Sequence, residues 1–249
     1  MNASRGGLVW LFDLDNTLHD ASHAVFHRLD DTMTGYIAEH LGVDVAHADW
    51  LRREYWRRYG ATLLGLERHH GVRAAHFLEQ THRLPDLEAA LRMAAHDRVA
   101  LQRLPGRKLV LTNAPAAYAK RVLTELGLAG CFEAVVSIEG MRVFGQLRPK
   151  PDARMLRVVL ARLKLRPART VLVEDTVGHL RAARRVGMCT VWMQRYLRSD
   201  WGGGLRDKSR AIGSGPEVGI YLRRKPAFVC ARIKNLQELR RWNPSTRPI

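Results

Sequence analysis

Two aspartates with one residue between them, Asp13 and Asp15, end the apolar run "LVWLF" (8–12), and a third acid, Asp20, follows shortly after. Carboxylates repel one another and resist leaving water, so an apolar segment that ends in them calls for a counter-charge. Three other places share that setting. Thr112 and Asn113 follow "KLVL" (108–111), Glu174 and Asp175 close "TVLVED" (170–175), and Lys150 stands in "RPKPDARML" (148–156) ahead of a helical pattern. Asp13, Asp15, Glu174 and Asp175 supply hard oxygen donors, and such a set suits Mg²⁺. A calcium loop opening on Asp-x-Asp is excluded, because its sixth and twelfth positions would be Leu18 and Ala24 instead of Gly and Glu.

These residues act together only if the fold gathers them. "LVWLF", "KLVLT" (108–112), "EAVVS" (133–137), "TVLVE" (170–174) and "CTVWM" (189–193) are continuously apolar, as in a parallel sheet covered on both faces. Helical patterns alternate with them at 115–127, 152–164 and 177–187, the first and last stopped by Gly127 and Gly187. That alternation predicts an α/β fold with a Rossmann-like, doubly wound parallel sheet. Chemistry in such sheets sits at the carboxyl ends of the strands, where every residue named above falls. Residues 21–103 carry helical patterns and no strand run, which predicts an all-helical cap inserted between a core of 1–20 and 104–249. A Gly- and Ser-rich stretch at about 199–225 reads as a flexible excursion. "PAFVCARI" (226–233) and "NLQELRRW" (235–242) then return the chain to the core as a strand and a helix.

Taken together, "FDLDNTL" (12–18), "LTNA" (111–114), "KPD" (150–152) and "VEDT" (173–176) resemble the four signatures of the haloacid dehalogenase-like (HAD) superfamily of phosphohydrolases, over roughly residues 8–195. The resemblance implies a phosphomonoesterase. Asp13 would be the nucleophile that forms an aspartyl-phosphate. Asp15 would protonate the leaving alkoxide and then deprotonate water, its backbone carbonyl binding the metal. Asp175, with Glu174 beside it, would complete the Mg²⁺ site shared with Asp13 and Asp15, and Thr112, Asn113 and Lys150 would hold the phosphoryl oxygens. Two unit charges 4 Å apart at an effective dielectric near 20 repel by about 4 kcal/mol, which Mg²⁺ and Lys150 would offset as the carboxylate meets the phosphate. Dehalogenases of the superfamily need no metal and lack an acid/base at the Asp15 position, so Asp15 and Thr17 favour phosphoryl transfer.

"YGATLLGLERHHGV" (59–72) interrupts the helices with Gly60, Gly65 and Gly71 and reads as a cap loop facing the site, with Thr62 and Leu66 as its substrate contacts. With "FLEQTHRLPDLEAAL" (77–91) it resembles the cap of the pyrimidine 5′-nucleotidase branch. Residues 173–193 also fit that branch, except that His179 stands where its members commonly carry Asn. The implied substrate is a pyrimidine nucleoside monophosphate of the UMP or CMP type. Phosphoglycolate, sugar phosphates and nicotinamide mononucleotide are the alternatives, and a phosphomutase would share every core residue. From a different class, a non-catalytic, basic nucleic-acid-binding or scaffold protein is opposed by the intact acid set.

The 41 basic residues exceed the 24 acidic ones, giving +17 and an isoelectric point near 10.8. They are scattered along helix-like segments, so they read as solvated faces with a general pull on anionic substrates. Cys131, Cys189 and Cys230 are odd in number and lack ligand spacing, which predicts no disulfide framework and a reducing compartment. No run approaches the roughly 20 apolar residues of a membrane span, and acids interrupt the N-terminal apolar run too early for a signal peptide. A cytoplasmic monomer or homodimer is expected. His23 with His27, and His69 with His70, lack a zinc pattern and read as solvated or packing residues; Trp50, Tyr55, Trp56 and Tyr59 read as cap packing.

Overall fold

A computed structural model describes residues 7–196 and 225–242. In chain order its strands are β1 (Val9–Phe12), β2 (Arg107–Leu111), β3 (Ala134–Val136), β4 (Arg142–Val143), β5 (Gln146–Leu147), β6 (Thr170–Glu174), β7 (Cys189–Met193) and β8 (Ala231–Ile233). Six of them form one parallel sheet in the order β3-β2-β1-β6-β7-β8, and β4 pairs with β5 as a small antiparallel hairpin. The predicted doubly wound sheet is what forms.

Alternate side chains of β1 explain why the run had to be apolar throughout. Trp10 and Phe12 join the core on one face, Val9 and Leu11 the core on the other, and all four are buried. Register aligns the strand ends. Phe12 lies opposite both Val110 and Val173, so the residues just beyond these strands come out level. The chain moves outward from β1 through β2 to β3, then returns to the other side of β1 with β6. The order therefore reverses between β1 and β6, where the crevice of such sheets opens.

All residues of regular structure between β1 and β2 are helical: α1 (Ala21–Leu41), α2 (Val45–Tyr59), α3 (Thr62–His70), α4 (Ala74–Thr81), α5 (Leu87–Ala90) and α6 (Ala95–Arg103). Asp20, the third acid of the opening cluster, is the N-cap of α1, accepting from His23 N–H at 3.1 Å. The two ends of this insertion pack on the sheet through Ala21, Val25, Leu87 and Leu101. Its middle builds a separate core around Ile37, Leu66 and Phe77, which Ile138 and Leu147 join from the other part of the chain. Behind β2, β5 and β6 follow α7 (Ala116–Glu125), α8 (Ala153–Arg162) and α9 (Val177–Arg185).

Several expectations change. Residues 59–72 are not a loop but α3 with its flanks: Gly60 and Gly71 end α2 and α3 in the left-handed conformation, and Gly65 lies inside α3 against the Tyr55 ring. Trp50 is 57% exposed and lies on the surface, its ring 5.8 Å from that of His47 instead of in the cap core. "NLQELRRW" contributes a 3-10 turn at Leu236–Arg240, not an α-helix. Cys189 and Cys230 form a disulfide with Cα atoms 6.2 Å apart, contrary to the reading of the cysteine count. The parallel pairing of β7 with β8 brings them side by side from 41 residues apart, which spacing alone does not reveal. The Gly- and Ser-rich excursion falls almost entirely outside the described residues. No helix among the described residues is long and apolar enough to cross a membrane.

Candidate active site

Asp13 is the first residue beyond β1, anchored by its N–H to the Val173 carbonyl at 2.9 Å. One carboxylate oxygen, Oδ1, accepts from Lys150 Nζ at 2.6 Å; the other accepts from Thr17 Oγ1 at 3.3 Å. Lys150 also donates to Glu174 Oε2 at 2.8 Å, so one buried ammonium bridges two buried carboxylates from neighbouring strand ends. Asp175 completes the group. Oxygens of Asp13, Glu174 and Asp175 lie within 4.8 Å of one another.

Electrostatics here are unbalanced, with three carboxylates facing one ammonium. Burial, then Glu174, pushes Asp13 up to about 7, against the pull of Lys150. Burial, then Glu174 and Asp13, raises Asp175 well above the carboxylate range. Burial also works against an ionised Glu174, but Lys150 and His179 outweigh it and hold that carboxyl low. His179 Nδ1 stands 3.1 Å from Glu174 Oε2, which gives the unexpected histidine a place. Burial opposes the charge on Lys150 too, yet Asp13 and Glu174 more than compensate and keep it protonated. A hard cation fits this surplus of buried oxygen donors.

Asn113 spends part of its amide on the loop that carries Lys150. Its Nδ2 donates to the Lys150 carbonyl at 3.0 Å and its Oδ1 accepts from the Lys150 N–H at 2.9 Å. One N–H and one lone pair of the side chain fix the lysine's loop, and the second Nδ2 hydrogen is left to donate. Thr112 is buried, its oxygen accepting from Ala114 N–H at 3.0 Å while the hydroxyl proton is left to donate.

Among the described residues the contacts of Asp15 are with other groups than the lysine. Its Oδ1 accepts from Tyr118 Oη at 2.7 Å and lies 2.9 Å from His19 Nε2. Asn16 next to it adopts the left-handed conformation, φ 57°, and is tied to Ser22 through both amide atoms. Behind the acids, Trp192 Nε1 donates to the Asp175 carbonyl at 2.8 Å.

Thr62 and Leu66 are not at the centre. Leu66 has no exposed surface in the helical core, and the Thr62 hydroxyl donates to the Arg52 carbonyl at 2.9 Å. Two clefts instead lie beside α3 and α4. One of about 310 Å³ is lined by Tyr59, Leu64, Pro149 and Pro151, the last two flanking Lys150. The other, about 340 Å³, is lined by Leu78, His82, Pro115, Tyr118 and Glu139. Sequence reasoning missed His19, Tyr118 and Trp192. The signal for His19 was its place four residues after Asp15; nothing local marks the other two.

Comparisons with known proteins give the family and the fold. The model of the haloacid dehalogenase-like hydrolases matches residues 9–187. Among solved structures, a HAD phosphatase from Thermococcus onnurineus superposes with a TM-score of 0.57 at 18% identity, covering 94% of this chain and 96% of its own. A HAD-hydrolase from Bacillus subtilis bound to magnesium gives 0.55 at 16%, with 94% and 96% covered. L-2-haloacid dehalogenase from Xanthobacter autotrophicus gives 0.56 at 16%, with 94% and 97% covered. At these identities the likenesses speak for the fold.

Proposed function

The chain belongs to the haloacid dehalogenase-like hydrolases, and within that family we propose that it is a Mg²⁺-dependent phosphomonoesterase working through an aspartyl-phosphate. One observation carries the reading: a buried lysine shared by Asp13 and Glu174, with Asp175 alongside, leaves more carboxylate than its single positive charge offsets. A carbon–halogen cleavage needs no such surplus, nor the second carboxylate of Asp15. The Mg²⁺ reported for the Bacillus subtilis relative supports the same choice.

Asp13, the Asp15 carbonyl and Asp175 would hold the ion, with Glu174 beside them. Bound there, Mg²⁺ would supply positive charge to the phosphoryl oxygens. Lys150 keeps the Asp13 carboxylate oriented and contributes charge to the same oxygens, helped by Thr112 Oγ1 and the backbone N–H groups after β2. An Asp13 oxygen forms a bond to phosphorus as the ester bond breaks, and Asp15 gives its proton to the departing oxygen. Water then attacks phosphorus, Asp15 takes a proton from it, and Asp13 is released with inorganic phosphate.

The lead substrate is a pyrimidine nucleoside monophosphate. Sequence likeness to that branch supports it, and Tyr59 and Leu64, which line a cleft with Pro149 and Pro151, take the place of Thr62 and Leu66 as the proposed cap contacts to the ester's organic part. The test is phosphate release from UMP and CMP against AMP, phosphoglycolate, sugar phosphates and nicotinamide mononucleotide, with and without Mg²⁺. UMP or CMP should lead in kcat/KM and Asp13→Asn should abolish turnover. A panel led by another ester would replace the substrate, and no metal-dependent release at all would remove the phosphatase reading.

A further inference from the structure

Tyr118 and His19 meet Asp15 on the same oxygen. Tyr118 Oη donates to Oδ1 at 2.7 Å, and His19 Nε2 stands 2.9 Å from that atom. A carboxylate oxygen offers two in-plane lone pairs, and here both are taken. Both partners are buried, whereas Asp15 keeps 19% of its side chain exposed. Among the described residues Oδ2 has no hydrogen-bond partner.

The far side of His19 fixes which way that contact runs. Among the described residues its buried Nδ1 has no hydrogen-bond partner. A proton there would be a stranded donor, costly to bury, while a bare lone pair costs less. The ring therefore carries its proton on Nε2 and donates it to Asp15. Tyr118 is held in turn, since the His82 ring stands edge-on to it at 5.8 Å and 77°. His82 is itself fastened through Nδ1, 2.9 Å from Thr81 Oγ1 and 3.2 Å from the Leu78 carbonyl.

We propose that Tyr118 and His19 are positioning residues that occupy Oδ1 of Asp15 and so leave Oδ2 as the single oxygen that carries the exchanged proton. This rests on the reading of Asp15 as the acid/base. In the first step the Asp13 oxygen bonds to phosphorus, the ester P–O bond breaks with its electron pair going to the leaving oxygen, and the Oδ2 proton passes to that oxygen. In the second, water bonds to phosphorus and gives a proton to Oδ2, and the P–O bond to Asp13 breaks, regenerating both carboxyl groups. Without the two donors the Asp15 carboxyl turns freely about its last bond and presents the wrong oxygen part of the time. The clamp joins a residue from the turn after β1 to one from α7, 103 positions away from Asp15.

Leaving-group dependence separates this role from a general structural one. Substituted phenyl phosphates share a shape and differ in how much the departing oxygen needs a proton; kcat/KM in Mg²⁺ buffer reports only the steps through its departure. In the wild type, p-nitrophenyl phosphate exceeds phenyl phosphate by some ratio. That ratio should widen about two- to tenfold in Tyr118→Phe and in His19→Leu, less than the full loss of positioned acid catalysis in Asp15→Asn, and His19→Gln, which keeps a donor, should recover most of it. Tyr118→Phe deletes one hydroxyl and retains the ring, so it decides the matter even if His19→Leu does not fold. If Asp15→Asn widens the ratio and neither clamp variant does, the clamp is overturned while Asp15 stands as the acid. If Asp15→Asn leaves the ratio at the wild-type value, the acid/base reading fails and the clamp with it.

Discussion

Asn113 and Lys150 form a two-way amide bridge: Nδ2 to the Lys150 carbonyl at 3.0 Å, and the Lys150 N–H to Oδ1 at 2.9 Å, across 37 residues of chain. The end of β2 thereby sets the height of the loop that delivers the ammonium to Asp13. Asn113→Ala leaves a partly buried N–H and carbonyl unpaired, which should destabilise by about 1–3 kcal/mol. Activity should fall by more than the loss of folded protein explains. Denaturant unfolding together with kcat on folded protein checks this; equal losses in both would show the bridge to be structural only.

The surplus of carboxylates predicts how metal-free protein responds to pH. Asp13 is displaced from 3.8 to about 7, chiefly by burial, and Asp175 moves the same way. An acid raised in the folded state binds more protons folded than unfolded, so stability falls as pH rises between those two values. The displacement of Asp13 corresponds to on the order of 4 kcal/mol, fully felt above about 7 and relieved toward 4. Glu174, held low, works in the opposite sense: its contribution is present above its ordinary range and is lost only in stronger acid. In EDTA, Tm should be higher at about pH 5.5 than at about pH 7.5, and Mg²⁺ should raise Tm more at the higher pH. A metal-free Tm that climbs over this interval would contradict the raised position of Asp13.

Gly65 sits where α3 crosses α2, and a Cβ there would lie 2.1 Å from Tyr55 Cγ. Ala in a helix is favoured over Gly by about 1 kcal/mol, while forcing an extra carbon into a packed contact costs about 1–3 kcal/mol. At such a short approach the clash wins. Gly65→Ala should lower stability by about 1–2 kcal/mol, and thermal unfolding would show it. A neutral or stabilised variant would mean that Tyr55 moves aside, giving up its hydroxyl contact with His70 Nε2 at 2.7 Å.

That glycine also marks where the sequence misleads. Breakers at 60, 65 and 71 suggest a loop, but two of them terminate helices and the third lets two helices touch. Their meaning depends on a partner helix that no local window contains. The strand ends are different. Asp13, Thr112 and Glu174 follow uninterrupted apolar runs, and register in a parallel sheet carries them to one rim without further information. Lys150 was legible for a lesser reason, its place in a motif, and the bridge from Asn113 was not, because its amide could serve an anion, the neighbouring loop or both. His19 and Tyr118 escaped notice, since a histidine on a turn and a tyrosine on a helix acquire a role only when folding brings them to one oxygen.

The buried ammonium gives the most demanding test. Lys150→Met leaves Asp13 and Glu174 facing each other with no cation between them, and removing one partner from a buried ionic group costs about 3–5 kcal/mol. Much of that cost is the stranded charge, not the lost attraction. Adding Glu174→Gln takes one of those charges away, so Lys150→Met with Glu174→Gln should be more stable than Lys150→Met alone, with a coupling of about 1 kcal/mol or more. The same reasoning makes the single variant sensitive to pH: near pH 5.5 Asp13 takes up a proton, and the deficit relative to wild type should shrink. Denaturant unfolding in EDTA at the two pH values measures both effects. Additive losses that do not change with pH would show that Lys150 does not hold the two carboxylates together, and the charge balance argued for the metal site would have to be redrawn.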